Sequence, residues 1–274
     1  MVTGDDFGLA VPINEAIERA HREGILTAAS LMVAAPAAAD AMARARRTPS
    51  LRVGLHVVVA RGAPALPREE IRALVDADGM LPRGLVRAGI RFFFRPAARA
   101  QLEAEIRAQF ERFRASGLEL DHVDAHNHMH VHPTVFGTIL RVGRDYGMRA
   151  IRIPYEPGSR EAVLLRPWMA LMRARARRAG LTTNDAVFGM SGSGHMNVER
   201  IVRIIDRLPE GLSELYMHPA VSEAVGEDPM AVSYERRAEL AALVSPEVAA
   251  ALRERGIVCS TFSGSSPGKA FAPR

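Results

Sequence analysis

The chain has a single cysteine, Cys259, among 274 residues. That excludes an internal disulfide and fits a reducing compartment. Cys259 lies in the apolar run 256–262 and is expected to be a buried packing residue. Aromatic residues are scarce, at 5%, with one tryptophan. No RNA- or DNA-binding signature appears, and arginine is spread over many segments. The net charge of +5 therefore does not define a nucleic-acid surface. No uncharged apolar run reaches the roughly 18 residues of a transmembrane helix. No signal peptide precedes the acidic pair Asp5-Asp6, so a cytoplasmic location is expected. What remains is ordinary for a globular protein: 48% hydrophobic and 24% charged residues.

Short apolar runs alternate with amphipathic stretches. Strands are predicted at 26–34, 51–59, 118–126, 148–153, 185–189, 212–218 and 257–262, after a short first strand ending near Thr3. Helices are predicted at 12–24, 37–47, 97–116 and 134–146, several of them closed by glycine. Such alternation implies a mainly parallel sheet. About seven or eight βα units in one chain suggest a distorted (β/α) TIM-like barrel, with a doubly wound open sheet as the alternative. No linker, low-complexity segment or repeat divides the chain. A single domain over 1–274 is expected, with a helical and loop insertion at about 60–97.

Residues 122–132 hold His122, His126, His128, His130 and His132, five of the nine histidines, together with Asp124. Imidazole is the commonest metal ligand and titrates near neutral pH. Extended at ~3.3 Å per residue, the run would span roughly 30 Å, whereas donors sit ~2.0–2.2 Å from a zinc ion. Most ligands must therefore come from other segments. In parallel α/β folds such groups collect at the carboxyl ends of strands. Asp5 and Asp6 follow the first strand, between Gly4 and Gly8. His56 lies late in the third strand and Arg152 late in the fifth. His218 ends a later strand, just before Pro219. Adjacent aspartates repel unless positive charge lies beside them. A cation supplies that charge, with one aspartate binding it and the other left as a base. One Asp and two His leave open positions on a divalent cation, as in metal-assisted hydrolysis, where the metal activates water and polarises a carbonyl. Asp5, Asp6, His56, His126 and His218 form one complete set of parts. The one Gly-x-Ser-x-Gly spacing, 264–268, lies in a Ser/Gly/Pro-rich stretch with no strand-turn-helix pattern around it, which disfavours a serine nucleophile. His21, beside Arg19 and Arg22, is expected on the surface, and His195 in a loop able to reach the site.

Three motifs resemble those of the YdjC-like carbohydrate deacetylases: Thr3-Gly4-Asp5-Asp6-Phe7-Gly8, Val53-Gly54-Leu55-His56 and Asp124-Ala125-His126-Asn127-His128-Met129-His130. Tyr216-Met217-His218-Pro219 resembles the family's late His-Pro motif. Two further stretches are similar to the hopanoid biosynthesis-associated branch, HpnK: 24–36 (GILTAASLMVAAP) and 151–157 (IRIPYEP). The resemblance implies a distorted (β/α) barrel that removes the N-acetyl group from a sugar. In that branch the sugar is an N-acetylglucosaminyl group on a hopanoid lipid. It implies that Asp6, His56 and His126 hold one divalent metal, zinc or magnesium, that Asp5 is the base and that His218 is the acid. Asp124 and His128 are expected to orient the site, and His130 to line the pocket. Arg152 and Tyr155 are expected to position the sugar, and His122 and His132 to be structural.

A lipid substrate gives two stretches added interest. Residues 85–96 place Ile90, Phe92, Phe93 and Phe94 among Arg87, Arg91 and Arg95. Residues 163–178 place Leu164, Leu165, Trp168, Met169, Leu171 and Met172 before four arginines. Apolar anchors beside basic residues suit an anionic membrane surface, and a peripheral contact at the inner membrane face is expected. The alternatives are a deacetylase of soluble N-acetyl chitooligosaccharides and a non-catalytic metal- or lipid-binding protein.

Overall fold

In a computed structural model, which describes residues 1–158, 160–225 and 233–264, the chain is built on six parallel strands. They are β1 (Val2–Phe7), β2 (Ala28–Leu31), β3 (Arg52–Val57), β4 (Leu120–Ala125), β5 (Ala186–Phe188) and β6 (Ser213–Met217), hydrogen-bonded in the order β4-β3-β2-β1-β6-β5. The helices are α1 (Val11–Glu23), α2 (Ala38–Arg47), α3 (Leu85–Phe94), α4 (Pro96–Ala115), α5 (Pro133–Asp145), α6 (Arg160–Arg178), α7 (Val198–Ile205), α8 (Arg236–Leu243) and α9 (Pro246–Glu254). The fold is α/β and forms one domain around a curled parallel sheet. The strands are buried almost throughout, as parallel strands covered by helices must be. Helix α1 shows how a helix is tied down: Ile13, Ile17 and Ala20 recur at helical spacing and are fully buried.

Two predicted strands are corrected. Residues 148–153 shrink to single bridges, Val123 with Ile151 and Ala150 with Thr182. Pro154, which has no N–H to continue the ladder, follows at once. Residues 257–262 form no strand, because both edges of β6 are already taken, by β1 and β5. Cys259, expected buried, is half-buried. His21, expected on the surface, is 2% exposed, and its ring bonds to the Leu26 carbonyl and the Ser50 hydroxyl, each at 2.8 Å.

The first strand also runs further than predicted and contains the aspartates. Its register with β2 slips between Gly4 and Phe7, and Asp6 has a positive φ of 62°. Neighbouring residues of a regular strand point to opposite faces. The irregularity lets both carboxylates serve the same end of the sheet, a common use of bulges beside active sites. After β4 the histidine run leaves the strand and becomes a 3₁₀ segment, His126–Val131, with φ of 51° at both Asn127 and His128. Side-chain alternation therefore stops at His126. Such left-handed conformations in non-glycine residues are rare and cluster at functional sites.

Candidate active site

The strand register assembles the centre. His56 on β3 pairs directly with Asp124 on β4, and its Nδ1 lies 2.8 Å from Asp124 Oδ1. That contact leaves Nε2 facing Asp6, 3.7 Å from its Oδ1. On the other side, His126 Nδ1 lies 3.1 Å from the same oxygen. One donor atom from each of Asp6, His56 and His126 lies within 4.8 Å of the others, and all three residues are buried. A second trio, Asp5, His56 and Asp124, meets the same measure.

Asp5 is held apart from that cluster. Arg152 grips its two oxygens in a bidentate pair, at 2.7 and 2.9 Å. The same guanidinium reaches Asp124 Oδ2 at 2.6 Å and donates to Glu214 at 2.7 and 3.0 Å. It is fully buried, and its three carboxylate neighbours hold its charge firmly on despite burial. Glu214 is completed by the Thr3 hydroxyl, which donates at 2.7 Å, and Asp124 by the Ser30 hydroxyl at 3.1 Å.

Charge makes the case for a cation here. Asp5, Asp6, Asp124 and Glu214 are buried together, and among the described residues the guanidiniums paired with them are those of Arg152 and Arg236, with imidazoles beside them. Burial works against a charge on His56, but Asp124 outweighs it and pushes the imidazole up to about 9. Burial also opposes ionisation of Asp6, yet His126, His218 and His56 hold its carboxyl far below the usual range. Asp6 Oδ1 has no hydrogen bond although it is buried. An orphaned carboxylate oxygen with two imidazole nitrogens turned towards it fits a divalent cation. Two nitrogens and one oxygen suit zinc and its neighbours better than magnesium, which prefers oxygen donors.

His218 follows β6 and is buried. Its ring sits between Tyr216 and Tyr234, with centroids 5.5 and 5.1 Å away. Burial pulls its pKa down, while the Asp6 and Asp5 carboxylates act in the opposite sense. His128 Nε2 lies 3.0 Å from the Tyr216 hydroxyl, and desolvation drives its pKa well down. His130 contacts the Arg152 carbonyl at 3.1 Å and is lowered to about 4 by burial. His122 lies below the centre, 3.0 Å from Asp121 and 3.1 Å from Ser30. His132 packs edge-on against Phe92 and Phe93. Tyr155 lies beside Arg173, away from the cluster's hydrogen bonds. His195 stays at the surface, 3.7 Å from Glu235.

The sequence reading did not single out Glu214, Arg236 or Glu239. Glu214 carried a signal, since it is an acid inside the apolar run Leu212–Met217, two residues before Tyr216 and four before His218. Arg236 and Glu239 carried none. They sit on a short helix of mixed charge whose local pattern looks solvent-facing.

A parallel α/β sheet whose carboxyl ends gather buried aspartates and histidines around one spot defines a class of enzyme-like α/β protein. Over residues 1–254 the chain matches the family described as YdjC-like protein, and it belongs to that family. It is 32% identical over 264 residues to a carbohydrate deacetylase of Geobacillus stearothermophilus, covering 96% of each chain. A carbohydrate deacetylase of Mus musculus is 32% identical over 287 residues, across 94% of this chain and 91% of its own. A crystal structure of an Enterococcus faecalis protein, described in terms of cellobiose-phosphate cleavage, superposes with a TM-score of 0.78 at 25% identity. That match covers 96% of this chain and 97% of the other.

Proposed function

We propose that the protein is a hydrolytic carbohydrate N-deacetylase that holds one divalent cation, zinc or magnesium, on Asp6, His56 and His126. The observation that carries this reading is the separation of roles: three buried donors converge, while Asp5 and His218 stand beside them uncommitted to the same atom. A bound cation would supply Lewis-acid polarisation of the acetamide carbonyl and a more acidic water. Asp5 accepts the proton of the attacking water. Its pairing with Arg152 fixes the carboxylate's plane, and each oxygen keeps a lone pair for that proton. His218 gives a proton to the departing amine, so acetate and a free amino sugar leave. The low pKa that burial imposes makes a protonated His218 the stronger donor.

The sugar is proposed to be an N-acetylglucosaminyl group on a hopanoid lipid. The stretches at 24–36 and 151–157 support this reading. So does an apolar groove of about 430 Å³ formed by Val86, Ile90, Phe93 and Phe94 of α3 against the 3₁₀ segment. His128, two residues from the ligand His126, forms part of its wall. The same reading takes the sheet as a distorted (β/α) barrel, residues 60–97 as an insertion that builds the groove, and the site of action as the inner face of the membrane. No helix among the described residues is long and apolar enough to cross one.

The test is acetate release from N-acetylglucosaminyl hopanoid and from N,N′-diacetylchitobiose, with mass spectrometry for loss of one acetyl group. Turnover of the lipid well above the disaccharide supports the finer reading, and the reverse supports a soluble chitooligosaccharide substrate. Asp5→Asn should keep the cation and lose about a hundredfold or more in kcat, the scale of general-base catalysis. His126→Ala should lose the cation itself, read by metal analysis. Near-normal turnover by Asp5→Asn would overturn the base assignment.

A further inference from the structure

His218 has a peculiarity among the catalytic candidates. Among the described residues no carboxylate hydrogen-bonds its imidazole, and its buried Nδ1 has no hydrogen bond. Its aim depends instead on its backbone, and both polar atoms of that backbone are held by side chains of one helix. Glu239 Oε2 accepts the His218 N–H at 2.6 Å. Arg236 Nη1 donates to the His218 carbonyl at 3.1 Å. Both side chains belong to the first turn of α8 and are fully buried. The grip extends to the flanking chain: Glu239 Oε1 accepts the Met196 N–H at 3.1 Å, and the Arg236 carbonyl accepts the Ala220 N–H at 3.2 Å.

A purely structural anchor would be expected to satisfy its own donors. Arg236 does not. Its Nε and Nη2 are buried without hydrogen bonds, and Nη2 lies 3.9 Å from Asp6 Oδ2, on the oxygen opposite the one facing the two histidines. One guanidinium therefore touches the backbone of the proton donor and borders the carboxylate of the cation set. Its face also covers the Tyr234 ring at 5.0 Å, the ring that flanks His218.

We propose that Arg236 and Glu239 are positioning residues that fix the His218 imidazole at a set distance from the cation site, so that its proton reaches the leaving amine. The proposal rests on the acid role given to His218 above. It does not rest on the identity of the sugar. Neither residue touches substrate. They act through His218, so their removal should cost nothing once His218 is gone.

The experiment is a double-mutant cycle on the cation-loaded full chain, with N,N′-diacetylchitobiose as substrate. Arg236→Met and Glu239→Gln should each lower kcat by about ten- to a hundredfold, part of the range of general-acid catalysis. KM should stay within about twofold and metal content should be unchanged. Arg236→Lys, which keeps a donor for the His218 carbonyl, should recover part of the loss. In a His218→Ala background, Arg236→Met should cost nothing further. Losses that multiply in that background, or an unchanged kcat in both single variants, would overturn the proposal. A readout independent of turnover is the set of NMR cross-peaks from the His218 ring to Tyr216 and Tyr234. They should be present in the wild type and weakened in Glu239→Gln and Arg236→Met, and if they are unchanged in both variants the clamp is refuted even should the wild type deacetylate nothing. A wild type inactive on every N-acetyl sugar, with those cross-peaks lost in the variants, would instead sink the deacetylase reading and leave the clamp standing.

Discussion

Arg152 donates to Asp5 and Glu214 and pairs with Asp124 from a position with no solvent exposure. Breaking a buried ion pair by removing one partner costs about 3–5 kcal/mol, because the other charge is left uncompensated. Arg152→Met strands three carboxylates, so a loss at or above the top of that range is expected in urea denaturation. A change of about 1 kcal/mol or less would show that the cluster takes up protons instead. The guanidinium is committed to carboxylates, which makes it the holder of Asp5. His122 offers a prediction with a definite sign. Burial opposes its charge, but Asp121 raises its pKa above 6.5, and the same contact lowers that of Asp121. A raised histidine contributes stability that is complete below its unfolded value and lost as pH rises through its folded value. The lowered aspartate contributes stability that is lost as pH falls below 3.8 towards its folded value. The wild type should therefore exceed His122→Gln in stability most clearly at about pH 5–6, with the gap closing on the alkaline side. A gap independent of pH would mean that the ring is held neutral. Of the candidate site, the sequence made the converging Asp6, His56 and His126 and the flanking Asp5 and His218 legible because each sits at a strand end in a dense local motif. Glu214, Arg236 and Glu239 were not legible, because their importance comes from contacts to residues far along the chain.

At the scale of elements, β3 and β4 depend on a missing side chain. Gly54 faces the His122 ring, and a Cβ there would lie 2.5 Å from it. The register between the strands also shifts between Val53 and Leu55. Gly54→Ala should force His122 away from Ser30 and Asp121 and disturb the pairing of His56 with Asp124, two residues further along each strand. Overpacking of this kind costs about 1–3 kcal/mol. Thermal denaturation should register it, and metal affinity should fall with it; an unchanged melting temperature would show that the ring can rotate aside freely. Elements with strong local period and a terminal glycine or proline were read correctly, as α1, α2, α4 and α5 show, each within a residue or so of its predicted bounds. Residues 148–153 and 257–262 have the same apolar character as true strands. Residues 148–153 reach the edge strand β4 through a single bridge and are cut short before Pro154, and 257–262 find both edges of β6 taken; pairing is a property of the assembled sheet. The turn at Asn127 and His128 was hidden because the every-second-residue histidine pattern reads as a strand, although Asn and His tolerate a left-handed backbone better than most residues.

For the whole molecule, the question is how a buried polar centre would meet the lipid-borne sugar proposed for it. The exposed apolar side chains are concentrated on two helices: Val86, Ile90, Phe93 and Phe94 on α3, and Val163, Leu164, Leu165 and Leu171 on α6. Phe92, grouped with its neighbours in the sequence, is instead fully buried, so it belongs to the core. Both helices abut the 3₁₀ segment: α3 forms the groove with it, and the Trp168 indole of α6 donates to the carbonyl of Val131, a residue of the groove wall, at 2.8 Å. Arg91 is turned inward onto the Ala73 and Leu74 carbonyls, whereas Arg87, Arg95 and Arg166 are exposed. Apolar side chains ringed by basic groups favour an anionic bilayer, and the groove leads from that surface to His128. Burying such a side chain fully yields about 1.5–3 kcal/mol. Partial insertion of three should therefore shift vesicle affinity by about a hundredfold. Phe93→Ala/Phe94→Ala/Leu164→Ala should lose binding to vesicles of anionic phospholipid in a flotation assay, and it should lose turnover of the lipid-borne sugar in parallel. Turnover of N,N′-diacetylchitobiose should be preserved, because none of the three touches the cation set or its flanking Asp5 and His218. Equal vesicle binding by the variant and the wild type would remove the membrane from the account. Loss of disaccharide turnover as well would mean that the groove supports the fold of the site and does not receive the lipid.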